Sequence, residues 1–155
     1  MNALVGYDSV YGNTEQVARA VSDVLATRAN TRLVRVSEAM GVDLAGIDLL
    51  VLGSPTHGWR PTPAMRELLD RLPEGSLRNL RAAAFDTRLR GIRLVTGSAA
   101  RSLAKTVERM GARLVLPPES FLVVRSEGPL AEGELARATE WARALLERAT
   151  GPGLV

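Results

Sequence analysis

The chain reads as an α/β protein: a doubly wound three-layer sandwich on a five-stranded parallel sheet. Three observations carry this. Short apolar runs alternate with amphipathic helical stretches along the chain, the pattern of a parallel sheet with helices on both faces. One run, Asp48-Leu49-Leu50-Val51-Leu52-Gly53, is continuously apolar after its first residue, as a strand covered on both faces must be. The three loops richest in polar chemistry follow the first, third and fourth apolar runs, where the ligands of open α/β sheets bind.

Ala3-Leu4-Val5-Gly6 is the first strand. The helix after it runs from about Thr14 to Ala26, with Val17, Ala20, Val21, Val24 and Leu25 on one face. Thr31 to Val36 is a second strand, interrupted by Arg32 and Arg35, a mixed pattern that suits a sheet edge. Ser37 to Ile47 is a connection containing Gly41 and Gly46, with one helical turn expected around Val42 to Ala45. The central strand from Asp48 comes next. Ser54 to Pro61 is then a loop. A helix starts near Thr62-Pro63, carries Met65, Leu68, Leu69 and Leu72 inward, and stops at Pro73 and Gly75.

Arg81-Ala82-Ala83-Ala84-Phe85 is the fourth strand, its alanines letting a helix approach closely, and Asp86 to Gly91 is the loop at its end. Ser98 caps a helix with Leu103, Ala104, Val107 and Met110 inward and Gly111 as its stop. Arg113 to Leu116 and Phe121 to Val124 form the last strand, broken by Pro117-Pro118. The final helix spans about Ala131 to Ala149. The total is five strands and about five helices, with residues 1–155 expected to form a single domain.

Composition narrows the function. Cysteine is absent, which removes disulfides, thiolate metal sites and thiol nucleophiles, and is compatible with the cytoplasm. The single histidine, His57, makes a histidine-built metal site a poor expectation. No apolar run is long enough to span a bilayer, and no charged start precedes an apolar segment as in a secretory signal. The net charge of +3 comes from scattered arginines, Lys105 being the one lysine, and aromatics are only 4%. Nucleic-acid binding is therefore not expected.

The chemistry concentrates in three stretches. Ser9, Val10, Tyr11, Gly12, Asn13 and Thr14 join the first strand to the first helix. Free N–H groups at a helix start suit a phosphate, and Ser9, Asn13 and Thr14 offer side-chain donors. The same residue types are ordinary helix caps that need no ligand. The absence of Gly-Lys-Ser/Thr and of Gly-x-Gly-x-x-Gly excludes the P-loop and the dinucleotide fingerprint. Pro55, Thr56, His57, Gly58 and Trp59 form the second stretch, with Trp59 a flat surface for an aromatic ring or a cover for the sheet end. Asp86, Thr87 and Arg88 form the third.

Ser9-Val10-Tyr11-Gly12-Asn13-Thr14 resembles the phosphate loop of the flavodoxin-like family, (S/T)-x-(S/T)-G-x-T, with a tyrosine at the third position. Ser54 to Trp59 resembles that family's flavin-ring loop, and Phe85 to Leu89 its second ring loop. The resemblance covers nearly the whole chain and fits short-chain members. It implies strand order 2-1-3-4-5 and FMN as cofactor, with the 5′-phosphate on the first loop and the isoalloxazine between the other two. By the same resemblance the Gly58 carbonyl accepts the N5–H of the reduced ring. His57 contacts the flavin edge, donates a proton, or is simply solvated.

The chain departs from the family in two ways. No aromatic follows Phe85 to cover the outer ring face, leaving Leu89 or the plane of Arg88. The family's acidic surround is replaced by Arg60, Arg88 and Arg90 against Asp8 and Asp86, which predicts a raised two-electron potential. No catalytic acid, base or nucleophile is evident, so an electron carrier acting with a redox partner protein is the leading expectation. The alternatives are an FMN-dependent reductase or oxidase acting on a quinone- or porphyrin-like molecule, and a cofactor-free interaction domain.

Overall fold

The computed structural model describes residues 1–38, 42–91 and 97–151. β1 (Asn2–Tyr7) leads into α1 (Asn13–Leu25), β2 (Asn30–Arg35), a 3-10 turn (Val36–Glu38) and β3 (Leu49–Pro55). Then come α2 (Pro63–Arg71), β4 (Arg81–Leu89), α3 (Ala99–Arg109), the short β5 (Arg113–Leu114), β6 (Glu119–Val123) and α4 (Glu134–Thr150). All strand pairs are parallel, in order β2-β1-β3-β4-β5, with β6 also pairing with β4. This is the predicted doubly wound sheet, its fifth strand split in two where Pro117-Pro118 interrupts the ladder.

Strand alternation builds both layers. Ala3, Val5 and Tyr7 of β1, Leu49 and Val51 of β3, and Ala83 and Phe85 of β4 pack with α1 and α4. Leu4, Leu50, Leu52, Ala82 and Ala84 point the other way, onto α2 and α3. Successive side chains on a strand face opposite sides, so two apolar faces require the continuous hydrophobic run seen in β3. Phe85, Phe121 and Trp141 meet edge-to-face at centroid distances of 5.9–6.0 Å. A Cβ on Gly53 would sit 2.0 Å from the Phe85 ring, so this core needs glycine there.

Helix ends follow the local chemistry. The Thr62 and Ser98 hydroxyls accept the N–H groups of Met65 and Arg101 at the starts of α2 and α3. At the end of α3, Gly111 N–H bonds Glu108 O and Ala112 N–H bonds Val107 O, a Schellman stop.

Four expectations are corrected. β4 does not end at Phe85 but runs to Leu89, because β3 flanks it through Thr87 and β6 pairs with it from Phe85 to Leu89. Among the described residues, 42–45 hold no helical turn; the turn comes earlier, at Val36–Glu38, where β2 has just lost its partner β1. Gly41 lies outside the described residues. The last helix starts three residues later than predicted, at Glu134, after Gly133 at φ +84°. The described residues contain four α-helices and the 3-10 turn.

Candidate functional site

The C-terminal ends of β1, β3, β4 and β6 open into a cleft of about 640 Å³, within the range of small-molecule sites. Twelve of the fourteen residues singled out from the sequence line it: Ser9, Val10, Tyr11, Asn13, Thr14, Pro55, Thr56, His57, Gly58, Trp59, Thr87 and Arg88. Gly12 and Asp86 do not. Leu89, Val123 and Ser126 complete the lining.

The first loop is built to leave donors free. Gly12 precedes α1 at φ +92°, with no heavy atom within 4 Å of where a Cβ would stand. A left-handed residue is needed here to turn the chain into the helix, and glycine takes that conformation without strain. The Ser9 hydroxyl accepts the Gly12 and Glu15 N–H groups at 3.1 and 3.3 Å. The N–H groups of Val10, Tyr11, Asn13 and Thr14 have no backbone acceptor among the described residues. Four such donors at the positive end of a 13-residue helix form a site for an anion. The side chains also hold the loop in place. Asn13 Nδ2 donates to Glu127 O at 3.2 Å, and the Thr14 and Thr87 hydroxyls are bonded to each other at 2.6 Å. These bonds anchor the loop to its neighbours.

Sequence reasoning missed the brace beneath this loop. Arg35, at the end of β2, donates to Ser9 O at 2.9 Å and to Glu15 at 2.5 Å, and its guanidinium lies 5.3 Å from the Tyr7 ring centroid. Tyr7 also donates to Glu15 at 3.2 Å. Arg35 first, and Arg19 next, hold the Glu15 carboxyl below the usual carboxylate range. Burial, reinforced by Glu15, pushes the Tyr7 hydroxyl up. An arginine alternating with apolar residues reads as an edge-strand charge; only parallel pairing with β1 delivers it to the loop.

The second loop is a tight hairpin. His57 and Arg60 exchange backbone hydrogen bonds at 2.7 and 3.0 Å. Gly58 and Trp59 between them both have positive φ, +50° and +75°, as in a type I′ turn. Trp59 is half exposed and its backbone bridges to Gly97. A Cβ on Gly97 would stand 2.6 Å from Trp59 Cα, so only glycine lets the two segments touch. Nothing in the sequence pairs these two residues. The loop's root is locked by Asp8, buried beneath it: Asp8 accepts from Ser9 N at 3.0 Å and from the Thr62 hydroxyl at 2.6 Å.

The third stretch is strand, and Asp86 turns away from the cleft. Fully buried, its Oδ2 accepts from Ser98 Oγ (2.7 Å), Ala100 N (3.0 Å) and Thr56 Oγ1 (3.1 Å), while Oδ1 has no partner among the described residues. Asp86 therefore ties the start of α3 to the second loop and is not among the residues lining the cleft. The extension of β4 causes this: alternation sends Asp86 to the α3 side and Thr87 to the cleft side.

The cleft combines an anion cradle with a half-exposed indole, apolar Leu89 and Val123, and one arginine, Arg88. That suits a flat, partly apolar molecule carrying a phosphate. Among the described residues no group of histidine and acidic side chains is arranged to hold a metal, and no helix is long and apolar enough to cross a membrane.

Known proteins resemble this chain in fold. Flavodoxin 2 from Bacillus cereus superposes with a TM-score of 0.82 at 24% identity, over 96% of this chain and 99% of that one. A flavodoxin from the domain Archaea gives 0.80 at 19%, over 97% and 100%. Rubredoxin oxygen:oxidoreductase from Desulfovibrio gigas gives 0.76 at 19%, over 97% of this chain but 37% of that one. No curated protein sequence matches the chain. A family model described as a flavodoxin domain matches residues 4–110. The chain belongs to the flavodoxin domain family.

Proposed function

We propose that residues 1–155 form one FMN-binding domain that carries electrons to and from a redox partner protein. The observation that carries this is the first loop: four N–H groups without backbone acceptors at the start of α1, opening into the same cleft as Trp59. The residues fit the cofactor. Val10, Tyr11, Asn13 and Thr14 would hold the phosphate through their backbone, and Trp59, Leu89 and Val123 would exclude water from the ring. The chemistry supplied there is the reversible redox chemistry of the isoalloxazine.

The chain's own part is orientation and electrostatics. Gly58 tolerates either orientation of its peptide. Turning the Gly58–Trp59 peptide would exchange a type I′ for a type II′ turn, keeping the His57–Arg60 pairing and taking Trp59 out of its positive φ of +75°. The carbonyl so placed would accept a ring N–H. Arg88 sets positive charge at the cleft wall.

The test is the visible absorption of the purified protein, as isolated and after FMN is added and the excess removed. A retained, structured flavin band supports the reading, and riboflavin, which lacks the phosphate, should bind at least 100-fold more weakly. No retained flavin refutes it. Steady-state turnover with a reductant and a quinone then separates a carrier from an FMN-dependent reductase.

A further inference from the structure

We infer that the mouth of the cleft is a docking face for an acidic redox protein. This rests on the FMN-carrier reading and adds the chemistry of its partner. Arg60 lies on the second loop beside Trp59, Arg88 on the cleft wall, Arg90 just past β4, and Arg125 two residues past β6. Arg60, Arg90 and Arg125 are exposed and belong to no ion pair among the described residues.

The acids that oppose these arginines in the sequence do not oppose them in space. Asp8 is turned inward onto Ser9 N and the Thr62 hydroxyl, and Asp86 onto Thr56, Ser98 and Ala100. The Glu15 carboxylate is taken by Arg35 and Arg19. Glu134, which feels Arg90, is already paired with Arg137. The connection after β6 carries two exposed acids, Glu127 and Glu132. The balance at the mouth is therefore cationic. Trp59 and Leu89, 52% and 38% exposed, supply apolar contact amid that charge. A basic rim around an apolar patch selects an acidic partner through its encounter rate.

The experiment uses the FMN-loaded protein, reduced with dithionite and mixed in stopped flow with ferric cytochrome c, which is basic, or with succinylated cytochrome c, the same protein made acidic. One electron passes to each haem iron, so a fully reduced flavin reduces two cytochromes and releases its protons to solvent. At low ionic strength the succinylated form should react at least tenfold faster, and the difference should collapse as salt rises past ~0.3 M. The double substitution Arg60→Glu, Arg125→Glu should reverse the preference. Arg28→Glu, Arg109→Glu changes net charge equally at the N-terminal ends of the strands, away from the cleft, and should leave it intact.

A preference for native cytochrome c, or equal effects of the two double substitutions, overturns the inference while flavin retention keeps the FMN reading. A protein that retains no flavin overturns both.

Discussion

Replacing Asp86 tests the architecture of the site most sharply. Its Oδ2 receives three hydrogen bonds, from Ser98 Oγ, Ala100 N and Thr56 Oγ1, in a position with no solvent access. Bonds to a charged acceptor contribute about 1.5–3 kcal/mol each, but burying the carboxylate offsets much of that sum. Its Oδ1 has no partner among the described residues. Asp86→Ala strands the Ala100 N–H, at about 1–3 kcal/mol, and frees two hydroxyls that can turn elsewhere. The expected net loss is about 2–4 kcal/mol.

Asp86→Asn keeps an acceptor in place of Oδ2 but puts an amide N–H₂ at the position of Oδ1, which finds no donor among the described residues. Its expected loss is about 1–2 kcal/mol. Urea unfolding of the flavin-free protein measures this without the added stability of a bound ligand. With a slope of ~2 kcal/mol/M, Asp86→Ala should lower the midpoint by about 1–2 M. Because Thr56 sits on the ring loop, flavin affinity should fall in the same order. A stability for Asp86→Ala within about 0.5 kcal/mol of the parent would refute the reading of Asp86 as the tie between α3 and the second loop.

Three further outcomes are expected. Gly97→Ala places a Cβ 2.6 Å from Trp59 Cα at a residue with φ +69°, so it should displace the hairpin and weaken FMN binding at least tenfold, read by flavin fluorescence titration. The Glu134 carboxyl is held low by Arg137 first and by the Leu122 N–H, so its folded pKa lies below the unfolded value near 4.5. The stability it contributes is therefore present above that value and is lost as pH falls through the folded pKa; the midpoint difference between the parent and Glu134→Gln should shrink from pH 6 to pH 3. Removing the positive charge of Arg88 from the cleft wall by Arg88→Leu should lower the two-electron potential of bound flavin by a few tens of mV, as expected for one unit charge at an effective dielectric near 20; spectroelectrochemical titration showing no shift, or a rise, contradicts that.

The layering is written in the hydrophobic periodicity. Unbroken apolar runs can only be buried on both faces, and helical stripes between them can only cover those faces, so a parallel sheet follows from periodicity alone. The free N–H groups at the start of α1 were legible for the same reason: a strand, a hydroxyl-rich turn with Gly12 and an amphipathic run announce a helix start, which carries unpaired donors wherever it occurs. The cap at Ser98 and the helix start at Thr62-Pro63 were equally readable, being set within three residues.

Tertiary structure alone decided what lies far apart in the chain. Asp86 belongs to α3 rather than to the cleft because β6 extends the ladder beyond Phe85, a registry between strands more than thirty residues apart. Arg35 reaches Ser9 because β2 pairs with β1. Trp59 is held where it is by Gly97, and Asn13 by Glu127 across 114 residues. Periodicity reports which face a residue takes, whereas its partner on that face is set by register and loop closure, which no local pattern encodes.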